Sequence, residues 1–573
     1  MSGLFGILNI GRRGLMMQQL ALDVTGQNIS NATNEAYARK RLEISADYRR
    51  DPVFGAQGMG VNVDEIIRVR DKFLDERINS FQSALGEAQI KDDFLTRIEN
   101  VFHEPSENGL VHSMDQFWDS WQDLANSPSD LAARSVVFEN AEFLTATFQK
   151  YAINLGDIQT NIDKELEEKA HLINRYSDEV LQLNKQIVTM ELNGQNANDA
   201  RDKRDAVLKD LSLVLNIEVI EDKSGAVNVT VGGNVLVSAV HREDVEVYTA
   251  SERFRDGSSR KFQDIRFVDN KKALVAQSGQ LRGLFDVRDT IVPSFQERLD
   301  TLAVAIAKEV NELHRTGYNL NDNTGVSFFA DDVTGANNFR VADPIRVDVK
   351  NIAAAQGGVI RRIDLAADST NTSAGFEPQA VGISEQLGFR DSGGTGPFQK
   401  TANIVPGSVV ISNLSGTVFF QEGAGKDFVI DYENGRITIL AGGGMTAGTE
   451  YQISFEYNDR GAVGMGDGRQ ALAIAQLRQA ITMDEDVFGN PTTTFHTFYR
   501  AFIGKLGVDR DESKGELENQ QFVLEQFENR FQEISGVNMD EEMAQMIKFQ
   551  HGFQAAARVI TTTDRMLDIL LNI

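Results

Sequence analysis

The carboxy-terminal stretch Ser535-Gly-Val-Asn-Met-Asp-Glu-Glu-Met-Ala-Gln-Met-Ile-Lys-Phe-Gln-His-Gly-Phe-Gln-Ala-Ala-Ala-Arg-Val-Ile560 decides the fold of this chain. Asn538 is placed to cap a helix, and the acids at 540–542 put negative charge into its first turn, where the helix dipole favours it. Alternating spacings of four and three then give a mostly apolar stripe: Met539, Met543, Met546, Gln550, Phe553, Ala557, Ile560, Asp564, Leu567 and Leu571. A terminal helix with such a stripe requires a partner.

The amino terminus carries a second stripe of the same kind. The same alternation is mostly apolar there, and no proline occurs before Pro52. The positions are Leu4, Leu8, Gly11, Leu15, Gln18, Leu22, Thr25 and Ile29. The two stripes predict that the terminal helices pair across the whole intervening sequence as a coiled coil. On periodicity alone, a helical hairpin that closes an ordinary globular core is an equally good interpretation.

Segments at both ends resemble one protein family. Residues 26–41, Gly-Gln-Asn-Ile-Ser-Asn-Ala-Thr-Asn-Glu-Ala-Tyr-Ala-Arg-Lys-Arg, are similar to the amino-terminal signature of the rod, hook and hook-associated axial proteins of bacterial flagella. Residues 550–571, with Gln-Ala-Ala-Ala-Arg-Val-Ile at 554–560 and Asp-Arg-Met-Leu-Asp at 564–568, resemble the carboxy-terminal signature. The segment 535–542 resembles the hook-associated protein 1 family in particular. At 34–37 the chain departs from that family, because Asn-Glu-Ala-Tyr replaces Thr-Pro-Gly-Tyr and the residues that favour a tight turn are missing.

The middle of the chain carries the same resemblance. Residues 201–212, Arg-Asp-Lys-Arg-Asp-Ala-Val-Leu-Lys-Asp-Leu-Ser, and residues 279–329 resemble the centre of the hook-associated protein 1 family. Hook, rod and flagellin proteins lack these segments. The resemblance therefore covers both ends and much of the centre.

The resemblance implies a structural function. Proteins of this family assemble as a ring at the hook–filament junction and adapt the hook to the filament. The implied partners are further copies of the chain, the hook protein, the second hook–filament junction protein and a flagellar export chaperone. The implied location is the extracellular flagellum, reached by type III export without a cleaved signal peptide.

The resemblance and the two stripes together give candidate site residues. The predicted assembly interface consists of Leu4, Leu8, Leu15, Leu22, Asn28, Ile29, Asn31, Tyr37, Met543, Gln550, Phe553, Ala557, Ile560, Leu567 and Leu571. The resemblance places the two asparagines where the first helix turns into the next segment. The predicted chaperone-binding residues suit a helix that lies in a groove, and they are Met539, Met543, Met546 and Phe553.

The periodicity along the chain predicts an α+β multidomain protein. Helical spacing recurs at 67–102, 110–124, 131–192, 201–215, 279–313, 468–481, 495–506 and 517–534. Period-two runs predict a small β meander near 216–268, and others at 409–412, 427–432, 436–440 and 451–457 predict outer sandwich-like β structure with a type I′ turn at Asn434-Gly435. The order of these patterns indicates an elongated helical domain whose chain runs out and back, so that both termini meet.

Five segments follow from this organisation. They are an amino-terminal assembly helix (1–45), an elongated helical domain with the meander (46–325), one or two outer β-rich domains (326–460), a helical return (461–536) and a carboxy-terminal assembly helix (537–573).

Composition excludes several classes of protein. A net charge of −27 argues against a nucleic-acid binder, which needs basic surface to displace counterions from phosphates. The absence of cysteine excludes disulfides and thiolate metal sites. No stretch approaches 18 apolar residues, so no membrane insertion is expected, and the amino terminus lacks the basic region and cleavage site of a secretory signal peptide.

No pattern predicts catalytic, cofactor or metal chemistry. The seven histidines include no pair at the i, i+4 spacing of a helical metal site. His314 is interpreted as a structural residue near a helix end. The glycine-rich segment 464–468 has no lysine placed for phosphate, and the acids at 540–542 point to different sides of their helix.

Three other interpretations stay open from the sequence. A hook or distal-rod protein would share the terminal helices, but the central segments argue against it. An enzyme such as a cell-wall hydrolase carried on an axial scaffold would need paired carboxylates in the outer domains, where Glu377, Glu385 and Asp391 have no useful spacing. An adhesive role of the outer β domains is neither supported nor excluded.

Overall fold

Helices carry most of the chain, as the periodic apolar positions predict. They are α1 (Ser2–Ser30), α2 (Lys72–Phe102), α3 (Leu110–Asn126), α4 (Leu131–Leu192), α5 (Asn198–Val214), α6 (Gln280–Asp286), α7 (Val292–Thr316), α8 (Asp343–Val347), α9 (Arg469–Gln476), α10 (Phe495–Ser535) and α11 (Met539–Leu571). A π-helical turn at Val287–Ile291 joins α6 to α7. With the small sheets described below, these helices confirm the predicted α+β class.

The structure is a computed structural model. It describes residues 2–571 except 35, 52–54, 108, 194, 254–258, 322, 357–358, 364–374, 377–383, 387, 391–397, 401–403, 406, 414, 416, 424, 433–435, 447–448, 450, 460–465 and 486–488. The predicted turn at Asn434-Gly435 and the carboxylates Glu377 and Asp391 lie outside these residues. Of Glu385 only the backbone is described, in a strand.

The first seven strands confirm the predicted meander and add a long hairpin. The hairpin pairs β1 (Lys40–Asp51) with β2 (Gly55–Arg68). The meander consists of β3 (Glu218–Glu221), β4 (Val227–Val231) and β5 (Asn234–Val237), and β6 (Val245–Arg253) pairs with β7 (Ser259–Phe267). Every pair is antiparallel, as short connections require.

The chain divides into two compact units. The first contains Met1–Thr96, Gln159–Thr290 and Asp509–Ile573. Its helices α2 and α10 pack through the cluster Leu74, Ile78, Leu85, Leu524 and Phe531, beside which the rings of Phe81 and Phe527 stack with centroids 4.9 Å apart. The predicted boundaries of the five segments stay predictions.

The second unit contains Arg97–Ile158 and Ile291–Val508. Its helical part is built on an aromatic core, in which the rings of Trp121 and Phe328 lie 5.1 Å apart and those of Phe328 and Phe329 lie 4.9 Å apart. Short strands β8 (Gly317–Tyr318) and β9 (Ala355–Gln356) pair beside this core. The unit also holds β20 (Met483–Glu485) and β21 (Pro491–Thr493).

The remaining strands of the second unit are those predicted for the outer β structure, with further short ones. They are β10 (Val359–Ile363), β11 (Gly375–Phe376), β12 (Ser384–Gln386), β13 (Gly388–Arg390), β14 (Phe398–Lys400), β15 (Val410–Asn413), β16 (Phe419–Phe420), β17 (Phe428–Asp431), β18 (Arg436–Ile439) and β19 (Tyr451–Asp459). One sheet has the order β10-β19-β15-β16, with β11 also paired to β19, and another has the order β12-β18-β17. Both contribute to one buried cluster: Ile404, Ile411, Phe428, Ile437, Ile439, Met445, Tyr451, Ile453 and Phe455.

Several helix boundaries differ from the sequence prediction, and the helix predicted at 468–481, for example, ends at Gln476. The helices predicted at 495–506 and 517–534 are one helix, α10, although Gly504, Gly507 and Gly515 lie inside it. A glycine costs a helix about 1 kcal/mol, and burial of Leu506 and Leu524 on the same helix offsets this cost. The helix predicted from residue 67 begins at Lys72, because the preceding residues complete β2.

His314 has the structural role that its position predicts. Its ring is fully buried near the end of α7, where Nδ1 donates to the Val326 carbonyl at 2.7 Å and Nε2 accepts from the Ala353 amide at 2.8 Å. A proton added to Nε2 would point at the Ala353 amide hydrogen, so the site favours the neutral ring. Burial lowers the pKa of His314 from 6.5 to about 4.

Substitution His314→Gln is expected to weaken the pH dependence of folding. Because the folded-state pKa is depressed, the neutral ring stabilises the fold fully above pH 6.5, and this stabilisation is lost as pH falls to 4. The loss amounts to about 3 kcal/mol in the wild type. Urea unfolding at pH 7 and pH 4.5 should give a smaller difference for the variant, and equal differences would contradict the assignment.

Candidate functional site

The two terminal helices pair, as the apolar stripes predict, and they run antiparallel. A Cβ atom at Gly11 would lie 3.0 Å from Ile560 Cγ1, and one at Gly552 would lie 2.6 Å from Gln18 Cδ. The contacting residue numbers rise along α1 as they fall along α11, which sets the antiparallel direction. The absence of side chains at these two glycines lets the helix backbones approach closely.

The seam between the helices coincides with the predicted stripe at Gly11 and Thr25 and lies one residue before a stripe position at Ala21, Val24, Asn28, Glu542 and Thr563. On α1 the buried positions are Gly11, Ala21, Val24, Thr25 and Asn28, and on α11 they are Glu542 and Thr563. The closest approach therefore uses small and polar residues. The large apolar side chains of the predicted stripes, such as Leu15 and Leu22, flank these positions and are half-buried.

The predicted interface residues differ in how deeply they are buried. Eight are half-buried along the seam: Leu8, Leu15, Leu22, Ile29, Phe553, Ala557, Ile560 and Leu567. Met543 and Gln550 are exposed, and so is Met539 of the predicted chaperone site, whereas Met546 is half-buried. The side chains of Leu4 and Leu571 lie outside the described residues. Asn28 and Tyr37 are buried within the chain, and Asn31 is partly exposed.

Large apolar side chains cover the outer surface of the pair. Met16 is 60% exposed on α1, and Ile547 is 56% exposed on α11. Others on this surface that are at least a third exposed are Phe5, Ile7, Met539, Met543, Met566 and Ile569. We call this set the outer helix stripe. An apolar surface of this extent is typical of a protein–protein contact.

The hairpin β1–β2 lies against α1. Arg13 of α1 forms an ion pair with Asp47 of β1. A Cβ atom at Gly60, which is opposite Asp47 in the hairpin, would lie 3.5 Å from Ile10 Cα. The hairpin thus covers part of α1 that α11 leaves open.

A polar joint at Asn28 connects the end of α1 to the rest of the unit. The Asn28 amide group donates to the Lys40 carbonyl and to Glu542 Oε2, both at 3.0 Å. Its oxygen accepts from the Lys40 amide at 3.0 Å and from the Tyr37 hydroxyl at 2.9 Å. All four hydrogen-bonding positions of the side chain are used, so the joint fixes one geometry.

Glu542 anchors α11 in this joint. Its side chain is 3% exposed and accepts from Arg39 Nε at 2.7 Å as well as from Asn28. Glu541 is 60% exposed and lies 3.2 Å from Arg39 Nη1, and Asn538 caps the helix by accepting from the Asp540 amide at 3.0 Å. The acids do point to different sides, as predicted. The sequence analysis did not predict the anchoring role of Glu542. A signal for it exists, because Glu542 precedes Ala556 by two heptads, and Ala556 faces Gly14 of α1 across the seam.

Charged groups surround Tyr37 at the joint. Lys40 pairs with Asp199 and lies 5.1 Å above the Tyr37 ring, and Asp202 accepts from Arg68 at 2.8 Å. Burial and then the negative charges of Asp202, Asp199 and Glu542 raise the pKa of Tyr37 well above its ordinary value. The hydroxyl therefore stays protonated and donates to Asn28.

The turn before the joint forms without the family's Pro-Gly. The Tyr37 amide donates to the Asn34 carbonyl at 3.0 Å, and the Ala36 amide donates to Asn34 Oδ1 at 3.2 Å. The Asn34 side chain thus stabilises the turn by a local Asx interaction. Asn31 ends α1 by donating from Nδ2 to the Gln27 carbonyl at 2.9 Å.

A cleft beside the joint contains paired charges. Arg68 and Arg70 form ion pairs with Asp202, Asp205 and Asp75. The other basic residues that line the cleft also have a carboxylate within 4 Å, and they are Lys72, Arg201, Arg204 and Lys209. Within the described part of the chain, no group of three or more His, Asp or Glu side chains is arranged to hold a metal ion. The same residues include no helix long and apolar enough to cross a membrane.

Two family models match the chain. Residues 95–329 match a model described as the flagellar hook-associated protein FlgK helical domain. Residues 528–573 match one described as the flagellar basal body rod FlgEFG protein C-terminal. The first match lies in the middle of the chain and the second includes α11.

Curated relatives align over the whole length. Flagellar hook-associated protein 1 of Bacillus subtilis (strain 168) is 26% identical over an alignment 609 positions long, which covers 100% of this chain and 99% of that protein. The protein of the same name from Salmonella typhimurium is 24% identical, with 99% of each chain covered. That from Escherichia coli (strain K12) is 23% identical, again with 99% of each chain covered.

One solved structure has the same fold. The flagellar hook junction protein FlgK from Burkholderia pseudomallei superposes with a TM-score of 0.55 at 16% identity. The match covers 80% of this chain and 100% of that one.

Proposed function

We propose, from the premise that this chain belongs to the flagellar hook-associated protein 1 family, that it is a structural subunit of the hook–filament junction of a bacterial flagellum. The family models and the full-length relatives support this function. The carboxy-terminal model is described for rod proteins, so this match alone would also fit a hook or distal-rod protein. The match of residues 95–329 to the FlgK helical domain favours the junction protein instead. As part of the flagellum, the protein is extracellular.

The paired terminal helices, with their outer helix stripe, carry the assembly part of the proposal. Copies of the chain form a ring, in which the stripe of each helix pair is buried against its neighbours and the pairs line an export channel. The predicted interface residues beside the seam, such as Leu15 and Leu567, widen the same apolar surface. Asn28 and Tyr37 hold each pair in place from within its own chain. No catalytic step is part of this function.

The axial neighbours follow from the position of the ring. The hook protein lies on one side and the second junction protein on the other, so the ring converts between two tubes. Export proceeds by the flagellar type III route, and the amino terminus is kept. The outer β structure of the second unit has no assigned role in the junction.

Before export, a chaperone covers α11. Met539 and Met543 are 42% and 46% exposed on one side of the helix, where they can enter an apolar groove together with Met546 and Phe553. Truncation after Glu533 is expected to abolish chaperone capture in a pull-down. Unchanged capture would place the chaperone site elsewhere on the chain.

Complementation tests the junction role. A strain that lacks its own hook-associated protein 1 should regain filament growth with the full chain. A version without residues 537–573 should not be retained at the hook, because the helix pair cannot form. Failure of the full chain to restore filaments would overturn the proposed function.

A further inference from the structure

The hairpin β1–β2 has two different faces. Side chains alternate between the faces of a strand, and Asp47, with its ion pair to Arg13, marks the face that packs on α1. Leu42, Ile44 and Tyr48 of β1 belong to the opposite face. The register places Ile66 opposite Leu42 and Val63 opposite Ile44 on that face.

This opposite face is apolar and partly exposed, because Leu42, Val61, Val63 and Ile66 are half-buried. Ile44 is 50% exposed and Tyr48 is 67% exposed. We call it the outer hairpin face and define it by Leu42, Ile44, Tyr48, Val61, Val63 and Ile66. A two-stranded hairpin with an exposed apolar face gains stability when another surface covers that face.

The distribution of charge limits what can cover the outer hairpin face. The hairpin, residues 40–68, contains five basic and five acidic residues and is neutral. Helices α1 and α11 together contain five basic and six acidic residues, whereas the whole chain has a net charge of −27. Almost all of the net negative charge, which repels a second copy, therefore lies outside the hairpin and the two terminal helices. Identical chains approach most easily through these nearly neutral segments.

A ring requires two different patches on each copy. Contacts around a cyclic ring are head-to-tail, so one surface of a subunit binds a different surface of the next. The outer hairpin face and the outer helix stripe are two such surfaces, both apolar and both on segments whose positive and negative charges nearly balance. They lie in the same compact unit.

We propose that the outer hairpin face of one copy binds the outer helix stripe of a second copy. The contact gives the hairpin a specific part in assembly besides its packing on α1. It covers Tyr48 and Ile44 with side chains such as Met16 and Ile547 of the neighbour. This inference rests on the proposed function, because it needs an assembled ring.

Disulfide cross-linking tests the contact directly, because the chain has no cysteine of its own. Tyr48→Cys is produced in one copy and either Met16→Cys or Ile547→Cys in another, and the two are co-expressed in a strain that lacks its own junction protein. After oxidation, hook-attached protein should contain a disulfide-linked dimer with at least one of the two helix variants. Val347→Cys, which is 85% exposed in the second unit, replaces the helix variant as a control and should give none.

A substitution on the same face gives a second measurement. Tyr48→Asp should reduce retention at the hook at least tenfold without changing the melting temperature of the free chain, because the side chain is exposed there. Tyr48→Phe, which keeps the apolar ring, should be retained normally. Loss of retention together with a lowered melting temperature would indicate a folding defect and overturn this reading of the variant.

The outcomes separate the contact from the function. If the wild-type chain is retained at the hook, but neither helix cysteine cross-links and Tyr48→Asp assembles normally, the contact is wrong and the junction role stands. A Tyr48→Cys cross-link to a cysteine variant of another axial protein, instead of to a second copy, would also overturn it. If the wild-type chain is not retained, the proposed function itself fails.

Discussion

Replacement of Glu542 by alanine is expected to release the start of α11 from the polar joint. The substitution leaves one Asn28 amide hydrogen and Arg39 Nε without their partner. Removing one member of a buried, hydrogen-bonded charge pair costs about 3–5 kcal/mol, and the lower end applies because Arg39 is 22% exposed and regains water. A loss of about 3 kcal/mol corresponds to roughly a 150-fold increase in opening of this end of the helix.

Hydrogen exchange measures that opening. Backbone amides in residues 542–550 should lose about two orders of magnitude of protection, while those of the second unit stay unchanged. Glu541→Ala is the matched control, since its side chain is 60% exposed and an exposed ion pair contributes at most about 1 kcal/mol. Equal protection in the two variants would mean that Glu542 does not anchor the helix.

Substitution of Gly279 by alanine is expected to destabilise the first unit by about 3 kcal/mol. Gly279 precedes α6 with a φ of +91°, which strains any residue that has a Cβ atom. A Cβ atom there would also lie 2.6 Å from Leu215 Cα and 2.6 Å from the Val214 carbonyl oxygen. Both contacts are with backbone, so no side chain can rotate away.

Denaturant unfolding of the first unit measures this loss. Gly233→Ala separates the two causes, because Gly233 has a φ of +78° but nothing within 4 Å of its Cβ position. The Gly233 variant should lose only about 1–2 kcal/mol, which is the cost of the left-handed backbone. If both variants lost the same amount, the close packing at Gly279 would have no part in stability.

Regular periodicity made the long elements predictable. The bounds of α4 match the predicted helix at 131–192, and the meander strands follow the alternation at 217–237. The periodic spacing of apolar residues is strong in these elements because a whole face of each is buried. The terminal pair was predicted for the same reason.

The register of the pair and its joint could not be predicted in the same way. The predicted stripes contain Gly11 but not Gly552, and the helices approach closely at both glycines, where side chains are smallest. Asn28 and Glu542 are 514 residues apart, and nothing in the local pattern of either indicates a hydrogen bond between them. The continuity of α10 through Gly507 depends equally on packing that a local pattern does not contain.

The proposed function depends on burial of the outer helix stripe between copies. Its most direct test is the amount of chain retained on isolated hooks when Ile547 is replaced by aspartate, with Thr562→Asp, at an exposed polar residue of the same helix outside the predicted interface, as the matched control. Burial of an isoleucine contributes about 1.5–3 kcal/mol per contact, so Ile547→Asp should reduce retention at least tenfold while Thr562→Asp is retained like the wild type. Retention of both variants at the wild-type level would contradict the claim that this stripe holds the ring together.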